Sequence, residues 1–69
     1  MAEFIIGDRV WFKSKFGDRV TGTYEGDDEM PTLKGPRKVH RVSSFNAFGK
    51  VEQTPTMCIV PIGSLQRET

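Results

Sequence analysis

Turn-forming residues interrupt this 69-residue chain so often that little room is left for a helix. Short apolar or β-branched runs alternate with glycine, proline, asparagine and aspartate, and no long stretch carries an apolar period of 3.6 residues. This pattern is typical of a small all-β domain. The sequence therefore predicts one domain over residues 1–69, built as a small five-stranded barrel, because closure removes sheet edges that would otherwise promote aggregation.

The predicted strands are placed by residue alternation and by the turns that bound them. A glycine inside the second strand, Gly22, predicts a bulge or a sharp bend. Residues 26–36 hold two prolines, two glycines and three consecutive acids, which predicts a long loop. Residues 61–65 predict a short 3-10 turn before the last segment. In chain order, the five strands are expected at residues 9–13, 19–25, 37–45, 50–52 and 57–60.

The core is predicted from side chains that share one face of a strand. Val10 and Phe12 alternate with polar neighbours on the first strand, and Tyr24 lies on the second. The closing segment is expected to bury Ile59 and Leu65 against them. This leaves Trp11, Phe16, Phe45 or Phe48 partly exposed, because so small a barrel can bury only some of the rings.

Charge and cysteine content exclude few functions. Ten lysines and arginines balance nine acids, so the net charge of +1 argues neither for nor against a nucleic-acid partner. The single Cys58 rules out an internal disulfide, which favours a reducing cytoplasm. The segment MAEFIIGDRV does not resemble a signal peptide. No apolar run approaches the roughly 20 residues of a membrane span.

Catalytic and metal-binding patterns are not found. Cys58 lies in an apolar run with no adjacent base, which is typical of a small buried hydrophobe. His40 and Cys58 lack the spacing of metal ligands. The run Asp27-Asp28-Glu29 lacks the alternating oxygen ligands of a calcium loop. The sequence therefore predicts no catalytic residue, no metal and no cofactor.

The third strand is the most basic segment. Val39 and Val42 differ in parity, so either a bulge intervenes or this strand is buried on parts of both faces. An acidic run just upstream could cancel the field of the strand or make the surface dipolar. Together with outward rings and one further lysine, the basic side chains form the predicted contact surface: Trp11, Lys13, Phe16, Lys34, Arg37, Lys38, His40 and Arg41.

Two separated stretches resemble a known family. They are Gly7-Asp8-Arg9-Val10, followed by Lys13-Ser14, and the closing Ile59-x-Pro61-x-x-x-Leu65-x-Arg67. Both resemble type II dihydrofolate reductase, the plasmid-borne, trimethoprim-insensitive enzyme. The resemblance implies a barrel of the Src-homology-3 type (SH3-like) and a homotetramer. In that family, copies of a Val-Gln-Ile-Tyr strand meet NADPH and dihydrofolate in a central pore.

The departures from this family fall where its chemistry lies. Its Val-Gln-Ile-Tyr strand corresponds to Met57-Cys58-Ile59-Val60, in which only Ile59 agrees. Cys58 replaces the glutamine that hydrogen-bonds both ligands, and Val60 replaces the tyrosine. The pore lysine falls near Phe12. Because a buried ligand needs those polar groups, the resemblance supports the fold and argues against the activity.

A broader similarity is to KOW- and Tudor-type barrels. The Gly-Asp-Arg-Val start, Gly22 and the ending Val60-Pro61-x-x-x-Leu65 are similar to these modules. They occur in ribosomal, transcription and phage proteins and bind RNA, DNA or protein.

The main expectation is therefore a non-catalytic binding module for nucleic acid or a nucleic-acid-processing protein. Two alternatives stay open. One is a divergent reductase-like homotetramer that binds NADPH near Cys58, Ile59 and Val60. The other is a protein–protein adaptor that uses the 26–36 loop.

Overall fold

A computed structural model describes residues 4–68, which form one antiparallel sheet and no helix. The predicted all-β class is therefore confirmed. Since these residues contain no helix, none of them forms a helical membrane span. Residues 1–3 and 69 of the predicted domain lie outside the described residues. The five strands are β1 (Arg9–Lys13), β2 (Arg19–Thr32), β3 (Gly35–Ser44), β4 (Thr56–Pro61) and β5 (Gln66–Arg67).

The sheet is open at both edges. Its strand order is β4-β3-β2-β1-β5, so the chain returns after β4 to add its last short strand beside β1. The backbone pairing extends slightly beyond β5, because the Glu68 amide donates to the Arg9 carbonyl at 2.9 Å. Within residues 4–68, no ladder joins β4 to β5. The predicted closure into a barrel is thus not seen, and the SH3-like topology stays a prediction.

The loop prediction for residues 26–36 is wrong, because these residues form a β-hairpin. β2 and β3 pair continuously from Gly26 opposite Arg41 to Thr32 opposite Gly35. The prolines that favoured a loop, Pro31 and Pro36, lie opposite each other in this ladder. A two-stranded ribbon tolerates them because proline is allowed on a strand with a free edge. We call residues 26–41 the hairpin arm.

The irregularity predicted at Gly22 lies three residues later. The pairing of β2 with β3 shifts register between Tyr24 and Gly26. Gly22 instead permits close approach of the two strands. A Cβ atom at Gly22 would lie 2.5 Å from the Ser43 carbonyl oxygen and 2.7 Å from Cγ1 of Val42.

The opposite parity of Val39 and Val42 is explained by burial on both faces. β3 pairs with β4 without interruption from Val39 to Ser44, so the bulge is not in β3 but in its partner β2. Both valines are nevertheless buried. Of the two explanations for the parity, a bulge in the strand or burial on parts of both faces, the structure therefore contains the second.

The fourth strand predicted at residues 50–52 does not form, and residues 45–55 make a loop instead. The Glu52 amide closes this loop by donating to the Phe45 carbonyl at 2.7 Å. The predicted fifth strand becomes β4. The predicted 3-10 turn before the last segment is a single hydrogen-bonded turn, in which the Ser64 amide donates to the Pro61 carbonyl at 3.1 Å.

The core receives side chains from β1 to β4 and from the residue just before β5. The prediction of burial is confirmed for Val10, Tyr24 and Leu65, and Phe12 packs partly buried against them. It is wrong for Ile59, which is 45% exposed. Strand alternation explains the error, because β4 directs its even-numbered residues toward the core. The buried cluster consists of Val10, Tyr24, Val42, Val60 and Leu65, with Phe4, Phe12 and Cys58 packed against it.

Candidate functional site

The predicted contact residues divide into two groups at different places on the sheet. Trp11 pairs with Thr21 near the start of β2, whereas Arg41 pairs with Gly26. Five residues of strand separate these two positions, which is about 17 Å at the usual rise per residue. The first group contains Trp11, Lys13 and Phe16, and the second, on the hairpin arm, contains Lys34, Arg37, Lys38, His40 and Arg41.

Two acidic residues of β2 lie directly opposite basic residues of β3 in the hairpin arm. Asp27 pairs with His40, and Glu29 pairs with Lys38. Residues 26–41, the hairpin arm, contain three acids and four lysines or arginines. The acids of the arm offset all but one unit of its positive charge, and the choice between a cancelled field and a dipolar surface stays a prediction. An arm of this composition has little net attraction for phosphate.

A hydrogen-bonded cluster fixes the base of the arm to the core. Asp27 Oδ1 accepts from the Tyr24 hydroxyl at 2.5 Å and lies 2.6 Å from Nδ1 of His40. Both contacts lower the pKa of Asp27, the tyrosine bond more than the histidine bond. Burial and the neighbouring carboxylate raise the pKa of Tyr24 to about 12. The Phe4 ring packs edge-on to the imidazole, with ring centroids 5.3 Å apart.

This cluster gives His40 a structural environment. The side chain is buried, being 8% exposed, and is in contact with Phe4, Tyr24 and Asp27. It therefore offers little surface to a partner, although the sequence placed it in the contact surface. Packing of this kind stabilises the junction between the arm and the core.

Cations and rings gather at the other end of β2. There the β1–β2 turn, residues 14–18, meets the loop that follows β3. Residues 9–19 and 45–53 together contain five lysines or arginines and two acids, so this end has an excess of three positive charges and the arm an excess of one. We call this surface the loop face and define it by its basic and aromatic residues: Arg9, Trp11, Lys13, Lys15, Phe16, Arg19, Phe45, Phe48 and Lys50.

Two phenylalanines line one groove on the loop face. Phe16 is 81% exposed and Phe48 is 72% exposed. The groove between their loops has a volume of about 320 Å³, and Lys15 also lines it. The Lys15 ammonium lies 5.3 Å from the centre of the Phe16 ring. Neighbouring exposed rings that form one apolar patch are typical of interaction surfaces.

Trp11 is half-buried beneath an arginine. The Arg19 guanidinium lies 4.3 Å from the centre of the Trp11 ring, in a cation–π contact. Lys13 and Arg19 are paired across the strands, two residues closer to the turn than the pair of Trp11 with Thr21. The outer surface of β1 and β2 therefore carries two adjacent cations, one of which is held in place by an aromatic ring.

A second groove lies on the loop face beside Phe45. Its volume is about 160 Å³. Asn46 fixes the wall of this groove, because its Oδ1 accepts from the Thr21 amide at 3.2 Å. The Ser44 hydroxyl shares its one proton between the Thr21 carbonyl at 2.7 Å and Asn46 Oδ1 at 2.9 Å. The residues that line the groove are Arg9, Thr21, Gly22, Phe45, Asn46 and Val51.

Sequence reasoning missed part of the loop face. It included Trp11, Lys13 and Phe16 but left out Lys15 and Arg19. Basic and aromatic residues interleave throughout residues 9–19, and this signal could have identified the surface. The prediction instead followed the denser run of basic residues in β3. The predicted exposure of Phe45 and Phe48 is confirmed. The position of their loop beside Phe16 depends on tertiary contacts and could not be found by spacing.

The residues of the reductase-like alternative are mostly turned inward. Val60 belongs to the core, and Cys58 packs partly buried against it, so that burial raises the pKa of the thiol. Among Cys58, Ile59 and Val60, Ile59 is the residue with an exposed side chain. Within residues 4–68, no group of three or more potential metal-binding side chains occurs.

Comparison of the chain with known families, with characterised proteins and with solved structures finds no match. The resemblances to type II dihydrofolate reductase and to KOW- and Tudor-type barrels therefore stay predictions drawn from short motifs.

Proposed function

We propose that this protein is a non-catalytic module that binds single-stranded nucleic acid on its loop face. The observation that carries the proposal is the pair of exposed rings, Phe16 and Phe48, on one groove in the basic part of the molecule. Proteins that bind single strands combine a positively charged path for the backbone with rings on which bases stack.

The rings supply affinity that does not depend on base identity. Phe16 and Phe48 lie on two different loops, with their groove between them. A base that enters the groove covers apolar ring surface that is otherwise in water. Stacking of this type contributes about 1–3 kcal/mol per base.

The cations supply contacts to phosphate. Lys13, Lys15 and Arg19 lie within one turn and its two flanking strand ends. The stacked position of Arg19 over Trp11 reduces the side-chain entropy that binding would otherwise cost. If these three groups contact phosphate, log K should change by about −2 per unit of log salt, since each contact to a single strand contributes about −0.7.

The alternatives draw less support from the described residues. The reductase-like site would rest on a strand that exposes Ile59 but not Val60. The adaptor would use the arm, where exposed Met30 and Leu33 flank the tip. Neither surface combines rings with excess charge. The proposal agrees with the cytoplasmic location predicted from the free thiol of Cys58.

A titration with labelled eight-nucleotide oligo(dT) and oligo(rU) tests the proposal. Fluorescence anisotropy should show binding that weakens with salt, at a slope of about −2. Phe16→Ala and Phe48→Ala should each weaken binding about 10-fold, which corresponds to roughly 1.4 kcal/mol per ring.

Leu33→Ala is the matched control, because Leu33 is a fully exposed apolar residue at the tip of the arm. This variant should bind as tightly as the unmodified protein. An affinity that does not respond to salt, or an equal loss in Leu33→Ala and Phe16→Ala, would count against the proposal.

A further inference from the structure

The groove beside Phe45 has the size of one six-membered ring. Its volume is about 160 Å³, and a cavity of about 150 Å³ suffices to bind benzene. The phenyl ring of Phe45 is half-exposed and forms one wall, and Val51 contributes further apolar surface. Gly22 contributes to the lining without adding a side chain. A single ring fits these dimensions better than the fused rings of a purine.

The orientation of Asn46 leaves two hydrogen-bond donors for a ligand. Its Oδ1 accepts from the Thr21 amide, which identifies this atom as the oxygen. The Nδ2 group consequently faces away from this donor. Within residues 4–68 it has no hydrogen-bond partner, and no side-chain polar atom there is both buried and unpaired. The amide NH₂ is therefore accessible.

Arg9 adds further donors to the same groove. One contact, from Nη1 to the Thr23 hydroxyl at 3.4 Å, uses a single N–H of its guanidinium. Arginine carries five such donors. The groove thus presents donors from Arg9 and Asn46 beside the flat wall of Phe45. A flat ring that carries carbonyl acceptors complements all three features.

We infer that this groove is a subsite for one pyrimidine base. The ring lies against Phe45, and a carbonyl oxygen of the base accepts from Asn46 Nδ2 or from Arg9. The inference rests on the proposed function and adds base preference to it. The segment 45–49 contributes to both grooves, so one short strand can place neighbouring bases in each.

The test measures a ratio of affinities rather than one affinity. Eight-nucleotide oligo(dT), oligo(dC), oligo(rU) and oligo(dA) are titrated into the full chain. The three pyrimidine strands should bind at least about 5-fold more tightly than oligo(dA), which is the size expected for about one added hydrogen bond. Comparison of the affinities for oligo(dT) and oligo(rU) shows whether the sugar affects binding.

Asn46→Asp is the informative variant. It keeps the oxygen that accepts from Thr21 and Ser44 but replaces the NH₂ donors with an acceptor. The preference for oligo(dT) over oligo(dA) should fall to nearly 1 in this variant. Lys50→Gln changes the net charge by the same amount and does not line either groove. This control should weaken all strands equally and keep the ratio.

Phe16→Ala separates this inference from the proposed function. It should weaken binding of oligo(dT) and oligo(dA) alike, because its groove takes any base. If the strands bind but oligo(dA) equals oligo(dT), or if Asn46→Asp leaves the ratio unchanged, the subsite is refuted and the loop face stands. If no strand binds, both proposals fall. Retention of the backbone NMR spectrum in Asn46→Asp establishes that the variant is folded.

Discussion

A single carboxylate, that of Asp27, connects the hairpin arm to the core. It accepts a hydrogen bond from Tyr24 and contacts His40 on the neighbouring strand. The carboxylate is partly exposed, whereas the tyrosine and the histidine are buried. Each member therefore satisfies a polar atom of another at a position where water has limited access. The cluster explains why a basic strand contains a histidine that faces inward.

Tyr24→Phe should reveal this cluster through the pH dependence of stability. The folded protein raises the pKa of Tyr24 from 10.0 to about 12. The stabilisation is complete below pH 10 and is lost as pH rises through 12, because only the unfolded state readily releases the proton in this interval. Below pH 10, the variant should be less stable by about 1 kcal/mol, the usual contribution of one hydrogen bond.

Urea unfolding at several pH values between 8 and 12 measures this difference. The gap in free energy of unfolding between the two proteins should narrow across the upper part of the range. A gap that stays constant up to pH 12 would show that the Tyr24 hydroxyl does not have a raised pKa.

Gly22 provides a second prediction for a single residue. In Gly22→Ala the new Cβ would meet the Ser43 carbonyl oxygen at 2.5 Å, so β2 and β3 must separate locally. We expect a loss of about 3 kcal/mol in the free energy of unfolding, at the upper end of the range for over-packing. Denaturant unfolding gives the value directly.

Gly63→Ala serves as the control for this change. Its Cβ would meet nothing within 4 Å, and its cost arises from the φ angle of +94°. A cost of about 1–2 kcal/mol is expected from this backbone strain alone. If Gly22→Ala is no more destabilising than Gly63→Ala, the close approach of the strands does not limit stability.

At the scale of the elements, alternation predicted strands well, and composition misled in the segments between them. The β1 residues and the start of β2 follow from period-two patterning. The hairpin arm was missed because glycine, proline and acids are typical of loops. The structure accommodates them through the free edges of a two-stranded ribbon. Ile59 was placed inward because hydrophobicity was weighed above its parity with Val60.

The hairpin arm should be dispensable for binding to the loop face. A variant that lacks residues 30–37, with Glu29 joined to Lys38 through an Asn-Gly turn, keeps every residue of the buried cluster. Its affinity for oligo(dT) at 150 mM salt should stay within about 2-fold, because charges more than about 8 Å away are screened. Anisotropy measures the affinity, and circular dichroism verifies the fold.

A large loss of affinity in the shortened variant would instead place the contact surface on the arm, as the sequence first indicated. Loss of a protein partner with unchanged affinity for oligo(dT) would favour the adaptor alternative for this element. The two results differ in their ligand, so a single variant distinguishes them.

At the scale of the whole molecule, the distribution of charge carries more information than its sum. The net charge of +1 conceals a larger excess of cations at the loop face than in the arm, where acids offset all but one of the cations. This division could not be derived from the sequence alone, because it depends on which acids the fold places opposite which bases. In the ladder, Asp27 lies 13 residues before its partner His40, and Glu29 lies 9 residues before its partner Lys38.

Two double variants with the same net charge distinguish the effect of where the charges lie from the effect of the total net charge. Lys13→Glu with Lys15→Glu, and Arg37→Glu with Lys38→Glu, each take the net charge from +1 to −3, since each reversal removes two units. If the loop face binds the strand, the first pair should lower affinity for oligo(dT) at least about 100-fold, because contacts to phosphate become repulsive. The second pair should lower it only a few-fold through the long-range field. Equal losses in the two pairs would show that overall charge, rather than the loop face, governs binding.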